Sequence, residues 1–261
     1  MKKYIRILTL NIGNPSVTRA KRQLEWLNSR NEDIIILTET KNSEGCHLIE
    51  QRMSNGLRDL LSYQDNKEYD VCFPKSKTGD LGVMCISRIP FKRTEYPYEM
   101  NDTYYSRLLE TSLDYYGRTL LVSSVYVPSR DNTPQKIDRK KNFLEGTLSY
   151  LSKIKNPSSI VCGDFNIVDR NHHPHYNTFY EWEYEFYDSV LKLGYIDTYR
   201  YCHPNVDDYS WVGRTGDGYR YDYCFVSEYL ASRIKQCDFV HETRTLGLTD
   251  HSGVYIVLYA E

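Results

Sequence analysis

Nothing in this 261-residue sequence approaches the roughly 18 consecutive apolar residues of a membrane-spanning helix, which excludes an integral membrane role for a helical segment. It has no C-x-x-C pair, and its seven cysteines (46, 72, 85, 162, 202, 224 and 237) are odd in number. That pattern disfavours zinc sites and a disulfide scaffold, and reads as buried free thiols in a reducing compartment. There is no G-x-x-x-x-G-K-S/T phosphate loop and no G-x-S-x-G nucleophile elbow, so P-loop phosphotransfer and serine hydrolysis are disfavoured. No low-complexity linker and no repeat of 20–50 residues occurs, which leaves residues 1–261 as one domain. Excess charge is missing as well. A net charge of −2 and a pI near 6.4 exclude a generic polycationic binder of nucleic acid. "TRAKR" (18–22) and "KIDRKK" (136–141) offer local basic faces, but each also reads as a solvated helix face. The opening "MKKYIRILTLNIGNP" carries Lys2 and Lys3, then a run interrupted by Arg6. It reads as a first strand rather than a signal peptide, and the protein as cytoplasmic.

What is present suffices for a sizeable core: 40% hydrophobic and 26% charged residues. The 25 tyrosines suit strand surfaces and sites that touch bases or sugars, although a compositional excess explains them equally. Residues 5–11 alternate as a strand does, and "DIIILTE" (33–39) reads as a strand buried on both faces. "YDVCFP", "LGVMCIS", "RLLETSLDYYGRTLLVSSVYVP", "SIVCGDFN", "YDYCFVS" and "SGVYIVLYA" supply further strands, with a hairpin turn at "YYGR" (115–118). Helices are predicted over 18–28, 137–154 and 178–194, the second weakened by Gly146 and the third stopped by Gly194. Interleaved strands and helices with added hairpins imply a mixed-sheet α/β domain. The histidines of "RNHHPHYN" (170–177) lack the geometry of a helical ligand pair, and read as a surface or substrate-facing loop.

One pattern recurs along the chain. A hydrophobic strand ends, and residues able to handle metals or protons follow: Asn11, Glu39, Tyr126 in "YVP", Asp164 and Asn166 in "GDFN". Asp222 and the pair Asp250–His251 stand at strand starts. Singly, each reads as well as a turn, a cap or a surface charge. Together they form an oxygen-rich set without cysteine, suited to Mg²⁺ or Mn²⁺ rather than zinc. A hard cation beside an Asp–His pair suits attack on a phosphate ester.

"DIIILTETK" resembles the D-x-x-x-L-Q-E-x-K segment of the exonuclease III and abasic-site endonuclease group, in the endonuclease/exonuclease/phosphatase superfamily. "DTYRYCHPNVDDYSW" and "GDGYRYDYCFVS" are similar to two later segments of that group, and "LNIGN", "YVP", "GDFN" and "TDHSGV" fill the other places in order. The resemblance implies two packed mixed β-sheets flanked by helices, a four-layer α/β sandwich of the DNase I type. It implies a Mg²⁺-dependent (or Mn²⁺-dependent) DNA nuclease acting as a monomer. Glu39, Asn11 and Asp250 are implied at the metal. Asp164 orients or deprotonates the attacking water, Asn166 binds water or phosphate, Tyr126 and His251 reach the phosphate, and Asp222 stands behind His251. Trp211, Tyr219, Arg220, Tyr221 and Arg130 are the implied substrate contacts.

Adjacent residues on a regular strand face opposite sides, so Asp250 and His251 reach one pocket only if the chain near Thr249 is irregular. The chain departs from the group in having Thr38 before Glu39, and Gly13-Asn14-Pro15 where relatives carry a DNA-holding loop. The short span from Trp211 to Asp222 lacks the residues that receive an extruded abasic sugar in relatives. These departures keep open a phosphatase or phosphodiesterase acting on RNA, a protein–DNA adduct or a small phosphorylated molecule. A non-catalytic binding module ranks last, because Glu39, Asp164 and His251 are all present.

Overall fold

The alternating segment at the start of the chain forms strand β1 (Tyr4–Asn11) in a computed structural model that describes residues 4–54, 69–94 and 102–260. Lys2 and Lys3 lie outside the described residues. After β1 come α1 (Val17–Asn28), β2 (Ile34–Thr40), α2 (Glu44–Ser54), β3 (Asp70–Cys72), β4 (Gly82–Ser87), β5 (Phe91–Arg93) and α3 (Asp102–Arg107). The hairpin β6 (Leu108–Tyr115) and β7 (Arg118–Tyr126) leads to α4 (Pro134–Leu151), β8 (Ser159–Asp164), α5 (Glu181–Lys192), β9 (Tyr195–Asp197) and α6 (Thr198–Cys202). A small hairpin, β10 (Trp211–Val212) and β11 (Gly218–Tyr219), precedes β12 (Asp222–Ser227), α7 (Glu228–Ala231), β13 (Ile234–Val240), α8 (Glu242–Thr245) and β14 (Gly253–Tyr259).

The strands form two six-stranded sheets, ordered β13-β14-β1-β2-β4-β3 and β5-β6-β7-β8-β12-β9. Both are mixed: β1 pairs parallel with β2 and antiparallel with β14, while β7 pairs parallel with β8 and β8 antiparallel with β12. The alternation of side chains sorts residues into layers. Ile5, Ile7, Ile34 and Ile36 pack between the sheets with Val122, Ile160 and Val226. Leu8, Leu10, Ile35 and Leu37 face outward onto Leu24 and Leu27 of α1 and Ile49 of α2. Val161 and Phe225 face outward onto Phe143 of α4 and Phe186 of α5. The result is the four-layer sandwich that the resemblance implied.

Local chemistry explains the element ends. Ser16 caps α1 by accepting from the Arg19 backbone N–H. Helix α4 begins three residues before its predicted start, because Pro134 suits the first helical position, and it ends at Leu151, three residues before its predicted end. The turn at Tyr116 and Gly117 has positive φ at both residues (53° and 76°), as a tight hairpin requires.

The cysteines require a correction. Cys162 and Cys224 are cross-strand partners on β8 and β12, and they form a disulfide. Residues 62 apart in sequence become neighbours only through that strand pairing, which spacing alone does not show. The other five are free thiols, of which Cys46, Cys85 and Cys237 are buried.

Gly163, between Cys162 and Asp164, has φ +151°, and a Cβ there would lie 1.8 Å from the carbonyl oxygen of Val125. The clash is with backbone of the paired strand β7, which has no rotamer to escape into. Gly163→Ala is therefore expected to destabilise by about 3 kcal/mol or more, lowering Tm by roughly 6–12 °C. A melting midpoint unchanged from wild type would refute this account of the glycine.

Candidate active site

Strand parity brings the acids together. On β7, β8 and β12 the residues Tyr126, Asp164 and Asp222 are register partners in one row across the second sheet. They share the inner face with Val122, Cys162 and Cys224 and lie at one end of it. Asn11 ends β1 on the facing sheet and donates from Nδ2 to Asp164 Oδ2 at 2.8 Å, so the site bridges the two sheets. The other oxygen of Asp164 accepts from the backbone N–H of Asn166 at 2.9 Å. Asn166 takes a left-handed conformation (φ 50°) and donates from Nδ2 to the Val127 carbonyl at 3.0 Å.

Glu39 breaks the alternation. By parity it would follow Ile35 and Leu37 onto the helix face. A bulge between Thr38 and Thr40, with φ 54° at Glu39, redirects it. Its Oε1 accepts from the Tyr126 hydroxyl at 2.9 Å. Burial, and then the neighbouring Glu39 carboxylate, push Tyr126 well above the ordinary phenol range, so it remains a donor.

His251 and Asp250 lie in the link before β14 and, as adjacent residues, turn to opposite sides rather than converging. Thr249 pins the link by donating from Oγ1 to the Asn11 carbonyl at 2.8 Å. His251 is buried, and its Nδ1 meets Asp222 Oδ2 at 2.7 Å. Asp250 turns the other way. It is exposed and accepts from the Trp211 indole N–H at 2.9 Å, which leaves it outside the Asp164–Asp222–His251 cluster.

Ligand atoms of Asp164, Asp222 and His251 lie within 4.8 Å of one another. Burial, then the Asp222 carboxylate, raise Asp164 far above the usual carboxylate range, to about 8. Burial works against the His251 imidazolium, but Asp222 outweighs it and carries the ring up to about 9. One outer oxygen of this cluster, Oδ1 of Asp222, is buried without a hydrogen-bond partner among the described residues. An orphaned carboxylate oxygen, the Glu39 and Asp164 carboxylates and the Asn11 and Asn166 amides make a donor set that fits a hard divalent cation.

Two implied substrate contacts are buried structural ion pairs instead. Arg220 is 1% exposed and bonds to Asp197 at 2.6 Å and to Asp169. Its neighbours Tyr219 and Tyr221 face the opposite way, so alternation turns Arg220 inward. The Arg130 side chain is locked onto Glu183 and lies over the Tyr180 ring at 4.3 Å. Trp211, Tyr219 and Tyr221 are half-buried and form one aromatic group beside Asp250. Tyr219 stacks on Tyr221 at 5.0 Å, and Trp211 lies 5.9 Å from Tyr221. The histidine-rich loop supports this group rather than facing solvent throughout. His172 is buried, its Nε2 accepts from the Arg220 backbone N–H at 3.3 Å, and Tyr176 stacks on Tyr219 at 4.2 Å.

Ser210 was missed by sequence reasoning. Its Oγ accepts from the backbone N–H groups of Tyr221 and Asp222 at 3.0 and 3.1 Å, and its carbonyl accepts from Ser252 N at 2.6 Å. It thereby ties the strand of Asp222 to the link carrying His251. A serine between an aromatic and Trp211 carries no distinguishing signal. Arg107, over the Tyr126 ring at 4.8 Å, was also missed, although a cation entering an apolar strand run is a visible oddity.

Comparison with known proteins agrees with this geometry. The chain is 24% identical to an exodeoxyribonuclease of Bacillus subtilis (strain 168), covering 97% of this chain and 99% of that protein. It is 24% identical to a DNA-(apurinic or apyrimidinic site) endonuclease of Dictyostelium discoideum, over 98% of this chain and 71% of the other. The fold matches an AP endonuclease from Archaeoglobus fulgidus with a TM-score of 0.77 at 23% identity, over 97% of this chain and 99% of that one. It also matches a 3′ phosphatase from Neisseria bound to product DNA hairpin, with a TM-score of 0.78 at 19% identity, over 97% and 98%. The sequence profile of the Endonuclease/Exonuclease/phosphatase family covers residues 8–251, the span from inside β1 to His251 that builds the site, and the chain belongs to that family.

Proposed function

We propose that this protein is a divalent-metal-dependent phosphodiesterase that cleaves DNA, in the manner of exonuclease III and the abasic-site endonucleases. The observation that carries the reading is the bridging of two sheets by Asn11 and Asp164 beside the His251–Asp222 pair. Relatives named as an exodeoxyribonuclease and an abasic-site endonuclease support DNA as the substrate.

Each residue has a task set by its surroundings. Asp164 is held by two donors on separate oxygens, and its raised affinity for protons suits it to take one from an attacking water. His251, kept in its charged form by Asp222, presents its other ring nitrogen as a donor to a non-bridging phosphate oxygen. Tyr126 holds Glu39 through its hydroxyl. Glu39 and Asn11, with Asp250 at the rim, are the residues that would hold Mg²⁺ or Mn²⁺. The ion, when bound, supplies charge to offset the phosphoester anion. Trp211, Tyr219 and Tyr221 offer flat faces to a nucleotide beside the site. The protein is read as a cytoplasmic monomer; five free thiols support a reducing compartment, with the Cys162–Cys224 bridge buried in the core between the sheets.

The test is a panel of abasic duplex, 3′-recessed duplex, single strands, RNA and simple phosphate esters. Cleavage of DNA is expected with Mg²⁺ or Mn²⁺, abolished by EDTA and restored by either ion. DNA hydrolysis untouched by exhaustive chelation would refute the metal requirement. The net charge of −2 favours a second reading, hydrolysis of a small phosphorylated molecule. Salt separates the two: DNA binding weakens steeply with salt through counterion release, whereas small-ester hydrolysis does not.

A further inference from the structure

Beneath the site lies a buried charge cluster to which nothing above assigns a task. Lys140 on α4 is 2% exposed and Glu183 on α5 is 0% exposed. Nζ of Lys140 donates to Glu183 Oε1 at 2.6 Å. Glu183 Oε2 accepts from Arg130 Nε at 3.1 Å and from the Tyr180 backbone N–H at 2.9 Å. Two cations therefore share one carboxylate, and the cluster carries a net positive charge. Buried charge is expensive, and an apolar side chain of similar size commonly serves the fold as well or better. One polar contact of the cluster reaches the site itself: Lys140 Nζ also donates to the main-chain carbonyl of Asn166, at 2.6 Å.

That contact completes the hold on the turn after β8. The Val127 N–H donates to the Asp164 carbonyl at 2.9 Å, and Phe165 N–H to the Tyr221 carbonyl at 2.8 Å, so the sheet holds the first two residues. Asn166 lies beyond the strand, in a left-handed conformation that costs a non-glycine residue about 1 kcal/mol or more. Its amide faces Asp164 Oδ1, its side chain faces Val127, and its carbonyl faces Lys140. We infer that Lys140 is a positioning residue, which with Glu183 fixes Asn166 and so the Asp164–Asn166 turn in its reactive geometry. The inference rests on the reading of Asp164 and Asn166 as parts of a phosphoesterase site.

Steady-state kinetics on DNA and thermal melts test it. Lys140→Met is expected to lower kcat about 10- to 100-fold, the effect of a misplacement of about 1 Å, with KM changed less than about 3-fold. Lys140→Arg, which can donate to both partners, recovers most of that loss. Lys140→Met leaves Arg130 and Glu183 as a neutral pair, so its melting midpoint should fall too little for unfolding to explain the loss of kcat, whereas Lys140→Met/Glu183→Gln strands the Arg130 charge and should melt lower without a comparable further fall in kcat. In an Asn166→Ala background Lys140→Met should add little further loss, because it acts through the same turn. Wild-type kcat in Lys140→Met, or a kcat that falls only in step with the folded fraction, overturns the inference. Asn166→Ala at wild-type activity would instead overturn the reading of the site on which it rests.

Discussion

Asp164→Asn is expected to reduce kcat by about 10³-fold while leaving a folded, metal-responsive protein, the loss typical of removing a positioned general base. The substitution keeps the volume of a side chain that is 1% exposed. It removes the proton-accepting carboxylate, and it sets an NH2 donor against one of the two groups, Asn11 Nδ2 or Asn166 N–H, that donate to Asp164. The same variant carries a stability signature with a definite sign. Burial and the Asp222 carboxylate raise the folded-state pKa of Asp164 to about 8, above the ordinary value of 3.8. The native state therefore holds a proton that the unfolded chain releases, and wild-type stability falls as pH rises from about 4 to about 8. Asn does not titrate. The melting difference between Asp164→Asn and wild type in metal-free buffer should thus shift in favour of the variant between pH 4 and pH 8.5. Full activity in the variant, or a melting difference independent of pH, would remove Asp164 from the role of proton acceptor.

The second large effect concerns His251. His251→Gln should cost about 10²- to 10⁴-fold in kcat/KM through loss of a charged donor to phosphate. The sign of the pH dependence follows from which form acts. Asp222 at 2.7 Å outweighs burial and holds the imidazolium to about pH 9. Activity should therefore decline as pH rises through about 9, when the ring loses its proton. Stability contributed by the pair is present in full below the unfolded pKa of about 6.5 and is lost through the same upper range. Asp222→Asn removes the carboxylate, and the declining limb should move down toward 6.5. The assay is a pH–rate profile of kcat/KM for wild type and Asp222→Asn. A limb left in place by Asp222→Asn would mean that His251 is not the group titrating.

The catalytic set was readable because its members share a position relative to their strands. Asn11 and Asp164 end apolar runs, Asp222 starts one, and Tyr126 ends β7; regular alternation then places them on inner faces. The same rule accounts for the separation of His251 from Asp250, since adjacent residues entering a strand turn to opposite sides; the convergence of both on one pocket, which would have demanded an irregular link, is not what the structure shows. Glu39 was readable as a residue at a strand end, but not through alternation, which sends it to the wrong face; the bulge that corrects it is a local backbone conformation. Arg130 and Arg220 show the opposite failure. An arginine in a phosphate-handling segment suggests a substrate contact, yet both are consumed by carboxylates 53, 23 and 51 residues away.

What the sequence by itself determined is a mixed α/β domain and the identity of the acids, because strand periodicity and strand-end position are local properties; the four layers followed from the family resemblance. Tertiary structure alone decided the pairings. It set Asn11 against Asp164 across two sheets, Cys162 against Cys224, Lys140 under Asn166, and Arg130 and Arg220 inside the protein rather than on the substrate. The physical reason is that a buried charge or polar group must find its partner in space. Which partner it finds depends on how sheets and helices stack, not on its neighbours along the chain.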